Sequence, residues 1–371
     1  MQAKVQYVSF PADCRVIAIS DIHGNLDYFQ GLLRRINYTC QDILVLVGDM
    51  LEKGEQNLEL VRCLKELSSK STVYMLTGNN DIVYEDIYED MGPDGRGGML
   101  NYMLRKDRQG GLLHQMAAEI NRPVTPDMNI DAFCEALLAH FPEELNFLRG
   151  LPDIIESDKI RFVHAGLTSN ILSEQTSSRC RKNDNFMEQG IAMDKFCVVG
   201  HWPVCNYLRK TSPPSSFLPY FDPELNICSI DGGCNMKSNG QLNALILPGG
   251  DPSKMSFASY DSFPIVTALD AQTASSNPRV LVWGAGRHWI TLLEEKEDFC
   301  LVSQDLTGEL FWAPKKRIYT GSDGRLSCAE ATTWEPEISP GEEVSLIQET
   351  SRGYYIRKNG ICGWYHGRIQ R

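Results

Sequence analysis

Short, unbroken apolar runs alternate with segments of helical periodicity over the first 80 residues. The runs lie at residues 16–20, 43–47 and 73–77. The segments between them, at about 25–36 and 56–67, repeat large apolar side chains every three or four positions, which is typical of amphipathic helices. Runs of five residues without polar alternation are expected of strands that are covered on both faces. The order therefore predicts a parallel sheet with helices packed on it.

A long insertion separates these elements from three further apolar runs. Residues 160–163 and 196–199 predict two more strands, and residues 244–247 predict an edge or return strand. The insertion begins with acidic residues and a glycine-rich stretch at 91–99, and helical spacing then follows, as at Phe133, Leu137 and Leu145. We expect a helical cap over the sheet edge, which would also suit the rim of a site at the strand ends.

The pattern changes after residue 248. Residues 249–278 are rich in Pro, Ser, Asp and Ala and predict a linker with one strand at 264–269. Residues 290–318 and 344–369 resemble each other, because each contains a strand, a polar turn, an aromatic strand, a glycine-bearing hairpin and a closing Arg-Ile. This predicts an internal repeat of a small β-barrel. We therefore predict an α/β (α+β) domain at 1–250, a linker and first barrel at 251–320, and a second barrel at 321–371.

Composition narrows the class of protein. A length of 371 residues suits two or three domains, and the net charge of −12 argues against a nucleic-acid partner. No apolar run approaches the ~20 residues that span a bilayer, so no membrane partner is expected. The first 13 residues lack the apolar core of a signal peptide, and the twelve cysteines are scattered and read as reduced thiols. A cytoplasmic location is the expectation.

Polar residues typical of metal sites follow five of the predicted strands. In α/β sheets ligands bind beyond the carboxyl ends of the strands, and here each end carries such a residue beside a glycine. An oxygen and nitrogen set without thiolate suits Mn, Fe, Zn, Co or Ni, and six ligands fit two ions that share a carboxylate. Asp49, which follows the middle of the first three runs, is the natural bridge. The six candidates are Asp21, His23, Asp49, Asn79, His164 and His201.

These blocks resemble those of the calcineurin-like metallophosphoesterases. The order D-x-H-G, G-D-x-x-[DE]-[RK]-G, G-N-x-[DE], H-A-G and G-H is similar to the phosphoprotein phosphatase-like branch, which includes bacterial serine/threonine phosphatases and diadenosine tetraphosphatases. The resemblance covers roughly residues 14–248. It implies an αββα sandwich, one metal on Asp21, His23 and Asp49, and a second on Asp49, Asn79, His164 and His201. It also implies two divalent cations as cofactors, with Mn²⁺ the leading candidate.

Two positions depart from the family pattern. Asn80, followed by Asp81, stands where the family usually has a histidine that protonates the leaving group. Since an amide is no general acid, poor leaving groups would suffer most. Alternatively, Asn80 hydrogen-bonds a phosphate oxygen while another group or a water supplies the proton. Lys53 stands where many family members have an arginine that binds phosphate. Its ammonium group is a point charge, whereas a guanidinium can donate two parallel hydrogen bonds.

The leading hypothesis is a two-metal phosphoesterase of this branch, a phosphomonoesterase or protein phosphatase. Asp49, Lys53, Asn80 and Asp81 are its catalytic candidates. The substrate would be a phosphoprotein, a small phosphomonoester or a nucleotide. One alternative is a phosphodiesterase or dinucleoside polyphosphate hydrolase, and another is a phospho-ligand binding module with little turnover. We expect Asp231 to be structural, and Arg179 and Arg181 to be solvated.

The second repeat resembles bacterial Src-homology-type (SH3-type) barrels, because residues 360–364 stand where that family has a G-x-x-G-W turn. The first repeat resembles them less. The aromatic pairs Phe311-Trp312 and Trp364-Tyr365 would line a groove for an extended peptide partner. Alternating core residues of a small barrel would give the same pattern, so both interpretations stay open.

Overall fold

The structure, a computed structural model, describes residues 1–82, 87, 95–207, 216–284 and 286–371. It divides into two compact units, Met1–Pro203 with Pro219–Asp261, and Val204–Leu218 with Ser262–Arg371. The finer boundaries at 250/251 and 320/321 stay predictions.

The first unit has mixed α/β structure. Its described strands are β1 (Val5–Tyr7), β2 (Arg15–Ile19), β3 (Ile43–Val47), β4 (Thr72–Leu76), β5 (Ile154–Glu156), β6 (Ile160–Val163), β7 (Phe196–Val199), β8 (Tyr220–Asp222), β9 (Ile227–Ser229), β10 (Leu242–Pro248) and β11 (Ser256–Tyr260). Its described helices are α1 (Leu26–Arg35), α2 (Asn57–Lys70), α3 (Gly95–Met103), α4 (Leu112–Glu119), α5 (Ile130–His140), α6 (Pro142–Leu148) and α7 (Ser177–Arg181). Short 3₁₀ turns lie at Lys106–Arg108, Leu172–Glu174, Phe186–Gln189 and Pro252–Lys254.

These strands form two sheets. The first has the order β11-β10-β2-β3-β4, in which β2, β3 and β4 are parallel, as the sequence predicted. The run at 244–247 lies within β10, which pairs antiparallel with both β2 and β11 and so is interior. The second sheet has the order β1-β5-β6-β7-β9-β8, with β6, β7 and β9 parallel. The predicted α/β fold class is confirmed.

The apolar strands bury both faces because each face meets a different layer. Ile17 and Leu44 belong to a cluster with residues of α1 and α2, such as Phe29. Val16 and Val45, which alternate with them, belong to a second cluster that includes Ile160, Phe162, Phe196 and Val198 of the other sheet. A strand between a helix layer and a second sheet has no solvent face, which explains the missing polar alternation.

The first helix shows how local sequence sets an element boundary. The Asn25 side chain accepts a hydrogen bond from the Tyr28 backbone N–H at 3.1 Å and caps the helix. Asp27 lies in the first turn, and Arg34 and Arg35 lie in the last, so the charges complement the helix dipole. The helix consequently starts at Leu26, and the six residues 20–25 form the loop that carries the first candidate ligands.

The insertion packs on α2, where its apolar side chains join the same cluster as Leu58 and Leu60. The helical residues Phe133, Leu137, Leu145 and Leu148 are buried there. Arg62 of α2 adds ion pairs to Glu119 at 2.7 Å and Glu144 at 3.1 Å. The glycine-rich stretch predicted at 91–99 falls partly outside the described residues, since 91–94 are not among them.

The described regular elements of the second unit are all β-strands, apart from short 3₁₀ turns at Val204–Asn206 and Lys315–Arg317. These strands are β12 (Ile265–Ala268), β13 (Val280–Val282), β14 (Ile290–Glu295), β15 (Phe299–Gln304), β16 (Leu310–Pro314), β17 (Ile318–Thr320), β18 (Leu326–Cys328), β19 (Glu330–Thr332), β20 (Glu343–Thr350), β21 (Gly353–Lys358), β22 (Ile361–Tyr365) and β23 (Ile369–Gln370). The strand predicted in the linker is β12, and it pairs with β20 and β23.

The two repeats share a three-stranded meander with the same irregularity. The β14-β15-β16 and β20-β21-β22 meanders are both antiparallel. The first pairing of each meander shifts register, between Leu292 and Glu294 in one and between Leu346 and Gln348 in the other. A bulge at the matching place in both copies supports the internal repeat, because such bulges set how a small sheet curls.

Two further observations concern the helices and the cysteines of both units. Among the described residues, no helix is both long and apolar enough to cross a bilayer. All twelve cysteines are free thiols, and nine of them are buried.

We expect Phe162→Ala to destabilise the first unit by about 3 kcal/mol or more, because a fully buried ring between the sheets would leave a cavity. Urea unfolding followed by far-UV circular dichroism measures this, because the described α-helices lie in the first unit. The control Tyr7→Ala removes a ring that is 73% exposed and should change stability by about 0.5 kcal/mol or less. Equal losses in both variants would contradict a core between the sheets.

Candidate metal centre

The carboxyl ends of strands from both sheets supply the candidate ligands. Asp21 and His23 follow β2, and Asp49 and Asn79 follow β3 and β4 of the first sheet. His164 and His201 follow β6 and β7 of the second sheet. Because parallel strands end at the same edge, the two sheets present these side chains to one place.

Four of the six candidates have left-handed backbone conformations. The φ angles are 56° at Asp21, 51° at His23, 49° at Asp49 and 64° at His201. Non-glycine residues adopt this region uncommonly, and such residues cluster at functional sites. The tight turns place each side chain directly at the strand end.

Asp49 lies between two groups of metal-ligand side chains. Asp21, His23 and Asp49 form one group, and Asp49, His164 and His201 form the other, with ligand atoms within 4.8 Å of one another in each. His23 Nε2 lies 3.8 Å from both Asp21 Oδ1 and Asp49 Oδ2. His164 Nε2 lies 3.4 Å from Asp49 Oδ1. Asp49 is thus common to two groups of possible ligands, and the assignment of individual ions to these groups stays a prediction.

Backbone carbonyls orient two of the imidazoles. His164 Nδ1 lies 2.9 Å from Val47 O, and His23 Nδ1 lies 3.4 Å from Leu51 O. A carbonyl can only accept, so each Nδ1 carries a proton, and Nε2 is the nitrogen left to bind either a cation or a second proton. This is the usual outer contact of a metal-ligating histidine.

Two predicted ligand atoms are buried without a hydrogen bond within the described part of the chain. They are His164 Nε2 and Asn79 Oδ1. A buried acceptor that lacks a donor costs free energy, and a bound cation would satisfy both atoms. The mixed oxygen and nitrogen donors therefore fit divalent transition ions.

The carboxylates of the centre are close enough to disfavour one another's charge. Burial, together with the neighbouring Asp231, raises the pKa of Asp21 well above its usual range. Burial also raises the pKa of Asp231 to about 7. Burial lowers the pKa of His23 to about 4, so this ring is neutral and able to ligate. Burial acts in the same direction on His164, but Asp49 outweighs it and raises the pKa to about 10. Such a concentration of buried carboxylates favours a cation.

Asn80 holds the central carboxylate in place. Its backbone N–H donates to Asp49 Oδ1 at 2.8 Å, and its Nδ2 donates to Asp49 Oδ2 at 2.6 Å. Asp81 acts differently, since its two oxygens accept the backbone N–H groups of Leu51 and Gly78 at 3.1 and 2.9 Å. Asp81 therefore ties the loops after β3 and β4 together.

A cationic group from the insertion reaches this site, which sequence patterns did not indicate. Arg108 Nη1 donates to Asn80 Oδ1 at 2.5 Å. Lys53 Nζ and Arg108 Nε lie 3.5 and 3.3 Å from the same Asp107 oxygen. The sequence does not point to Arg108, because it lies 28 residues after Asn80, at the end of a short 3₁₀ turn. Only the hydrogen bond in the folded chain shows that it belongs to this site.

The remaining candidates have structural partners or surface positions. Arg181 is mostly buried and donates to Asp153 Oδ1 at 2.6 Å, so the expectation that it is solvated was wrong. Arg179 is exposed as expected. Asp184, not predicted, lies 2.8 Å from His201 Nε2 and orients that ring. Asp231 Oδ1 accepts the Gly233 N–H at 2.7 Å, which supports a structural role.

Comparison with known sequences identifies a family for this chain. Residues 14–205, just over half of the chain, match the calcineurin-like phosphoesterase family. The chain belongs to this family. The matched span holds all six candidate ligands, from Asp21 to His201.

Two curated relatives are symmetrical bis(5'-nucleosyl)-tetraphosphatases. The one from Haemophilus influenzae (strain PittEE) is 24% identical over 176 residues, which cover 46% of this chain and 51% of the relative. The one from Actinobacillus pleuropneumoniae (serotype 5b, strain L20) is 26% identical over 193 residues, which cover 50% and 58%. The chain thus spans about half the length of the curated relatives it matches.

One solved structure illustrates the remoteness of the overall likeness. The cold-active protein-tyrosine phosphatase of a Shewanella species has a TM-score of 0.40 and 15% identity, covering 70% of this chain and 83% of that chain. A score at this level carries no argument about function.

We expect Gly78→Ala to disrupt the centre, because a Cβ at this position would lie 2.2 Å from Asp49 Oδ1. Metal content after desalting should fall from about two ions per chain to one or none. The matched control Gly97→Ala meets no atom within 4 Å and should retain its metal. Full metal content in the Gly78 variant would contradict the tight approach of the two loops.

Proposed function

We propose that this protein is a metal-dependent phosphoesterase that hydrolyses a phosphate ester with water. The sharing of Asp49 by two ligand groups, with Asn79 Oδ1 and His164 Nε2 left without hydrogen bonds among the described residues, carries the proposal. Membership of the calcineurin-like phosphoesterase family supports it.

Asp21, His23 and Asp49 would hold one ion, and Asp49, Asn79, His164 and His201 would hold the other. When bound, two divalent ions supply an acidified water nucleophile and positive charge for the phosphoryl oxygens. We propose Mn²⁺ as the ion, because carboxylate, amide and imidazole ligands without thiolate suit it.

The chain's own side chains would orient the substrate and the ligand set. Asn80 fixes the rotation of the Asp49 carboxylate through two hydrogen bonds. Lys53, which is 18% exposed, provides a positive charge for a phosphate at the mouth of the site. Asp81 keeps the loop that contains Asn80 against the loop that contains Lys53.

We propose a phosphomonoester as the basic substrate class, on a protein or a small molecule. The names of the two relatives favour a nucleotide with a polyphosphate chain as a second candidate. A phosphodiester, and a phospho-ligand that is bound with little turnover, remain the competing hypotheses.

We expect Asp49→Asn to lower Mn²⁺-dependent hydrolysis of p-nitrophenyl phosphate by at least about 100-fold, since groups that merely support metal ligands are already worth 10–100-fold. Initial rates at 405 nm, with bis-p-nitrophenyl phosphate in parallel, measure this and the preference between mono- and diester. The control Asp127→Asn changes an exposed carboxylate and should retain the wild-type rate.

Turnover equal in wild type and the Asp49 variant would contradict the phosphoesterase proposal. Bound metal without turnover of either substrate would favour the binding module. Faster cleavage of the diester would favour the phosphodiesterase.

We further propose that the C-terminal unit is a pair of SH3-type barrels that bind an extended acidic peptide. Phe311 and Tyr365 are buried in the cores of the repeats. Their neighbours Trp312 and Trp364 line a cavity of about 440 Å³ within this unit. Both tryptophans also pack in a core cluster, Trp364 as a buried member and Trp312 at its edge, so each serves the core and the cavity together.

Charge favours an acidic occupant for this cavity. Arg279, Arg352 and Glu335 line it, and the Glu335 carboxylate lies 3.3 Å from His366 Nε2. Neither arginine has an ion pair to a carboxylate in the described ranges, so the two guanidinium groups outnumber the one carboxylate in the lining. The Arg352 guanidinium lies 4.9 Å from the Trp312 ring centroid, an arrangement that leaves its N–H groups for an anion. Flat indole faces beside guanidinium groups suit alternating proline and glutamate.

We expect Arg352→Gln to weaken binding of a fluorescein-labelled (Glu-Pro)₄ peptide by about tenfold, the loss of one charged hydrogen bond. Fluorescence anisotropy measures this. Arg325→Gln, which removes an exposed charge outside the cavity, is the control. Equal binding of a (Lys-Pro)₄ peptide would contradict an acidic ligand.

We also propose a cytoplasmic location, supported by the twelve free thiols, because exported proteins of this cysteine content usually form disulfides.

A further inference from the structure

We propose that Arg108 binds the leaving group of the substrate and selects leaving groups that depart as anions, above all a phosphate released from a phosphoanhydride. This inference rests on the phosphoesterase proposed above, and among its substrate candidates it favours the nucleotide with a polyphosphate chain over an alkyl phosphomonoester such as phosphoserine. It assigns a substrate-binding role to the insertion that covers the strand ends, and it explains how a site with Asn80 in place of an acid can work.

The position of Arg108 is set by contacts to the centre itself. Its Nη1 donates to Asn80 Oδ1, while the backbone N–H and the side-chain Nδ2 of Asn80 each donate to one Asp49 oxygen. Arg108 is therefore two hydrogen bonds from the carboxylate that joins the ligand groups. Its side chain is only 11% exposed, so its charge acts in a poorly screened environment.

The insertion holds the guanidinium rigidly. The Arg108 guanidinium carbon lies 4.6 Å from the centroid of the Tyr102 ring, a stacking distance. The Tyr102 hydroxyl lies 3.5 Å from Glu52 Oε2, and Glu52 Oε1 accepts the Leu112 N–H at 3.1 Å. Glu52 belongs to the loop after β3, so the loop that carries Asp49 also anchors the segment that carries Arg108.

Lys53 and Arg108 are already spaced to share one anionic oxygen. Both lie within 3.5 Å of Asp107 Oδ2, and the Asp107 side chain is 49% exposed. Arg105 also donates to the two Asp107 oxygens, at 3.0 and 2.9 Å, so this carboxylate keeps a partner when it leaves Lys53 and Arg108. A substrate phosphate can take its place between these two cations, because it carries more charge and more acceptor oxygens. The contact shows that the distance between the two cations suits a bridging oxyanion.

Neither Arg108 nor Asn80 can protonate a leaving oxygen. A guanidinium does not release its proton in proteins, and an amide is no acid at neutral pH. Hydrolysis then forms a bond from the water oxygen to phosphorus and breaks the bond from phosphorus to the leaving oxygen. The leaving oxygen keeps the electron pair, and the proton lost by the water goes to solvent. A phosphate leaves readily as an anion, whereas an alkoxide does not.

The test compares three substrates of the Mn²⁺-loaded protein that differ in leaving group: inorganic tripolyphosphate, p-nitrophenyl phosphate and phosphoserine. We expect wild type to prefer tripolyphosphate and to cleave phosphoserine at least about 100-fold more slowly, the usual range for a missing general acid. We expect Arg108→Gln to lower kcat/KM for tripolyphosphate by about 30-fold or more and for p-nitrophenyl phosphate by about threefold or less.

Two matched variants separate charge, geometry and folding. Lys106→Gln removes a neighbouring exposed charge and should stay within about twofold of wild type on all three substrates. Arg108→Lys, which keeps the charge but loses the fork, should fall between wild type and Arg108→Gln on tripolyphosphate. Inhibition by pyrophosphate, the departing product, should weaken by the same factor as kcat/KM in Arg108→Gln, which a purely structural role would not produce.

Asn80→His tests the missing acid from the other direction. It should raise the rate on phosphoserine relative to tripolyphosphate by about tenfold or more, because a histidine at this position can donate a proton. Equal losses on all three substrates in Arg108→Gln, or a wild-type preference for phosphoserine, would overturn the inference. Failure of the phosphoesterase proposal looks different, since wild type would then cleave none of the substrates faster than Asp49→Asn.

Discussion

The buried carboxylate of Asp49 is the group on which the rest of the candidate metal centre depends. A charge at this depth is stable only when hydrogen bonds and cations surround it. Asn80 donates two hydrogen bonds to Asp49, and the Nε2 atoms of His23 and His164 each lie close to one oxygen of this carboxylate. Arg108 in turn donates a hydrogen bond to Asn80 Oδ1. The loops, the insertion and the ends of both sheets are thus arranged around one oxygen pair.

The two sheets make this arrangement rigid. Val16 and Val45 face the strands of the second sheet, while Ile17 and Leu44 face the helices. Neither sheet can shift without opening a close-packed core, so the strand ends keep their spacing. The histidines that follow strands of one sheet therefore lie close to the carboxylates that follow strands of the other.

Much of the fold and most of the candidate site could be predicted from local patterns. Strands β3 and β7 begin and end where their apolar runs do, because double burial removes polar residues from the whole run. The bounds of β6 also match, but this strand keeps one polar residue, Arg161, whose buried guanidinium is paired with Glu156. The ligands were predictable because each directly follows such a run. Arg108 and Asp184 were not, since they lie in irregular segments and reach the centre only through tertiary contacts. Arg181 was assigned to solvent because a sequence does not show its partner Asp153.

The left-handed turns at Asp21, His23, Asp49 and His201 narrow what sequence the centre tolerates. Aspartate, asparagine and histidine are among the few side chains that adopt this conformation at modest cost, and they are also the metal-ligand types found here. Backbone geometry and coordination chemistry therefore select the same residues independently. An apolar or β-branched replacement would remove the metal ligand and would also strain the left-handed turn. Few side chains are therefore tolerated at these positions.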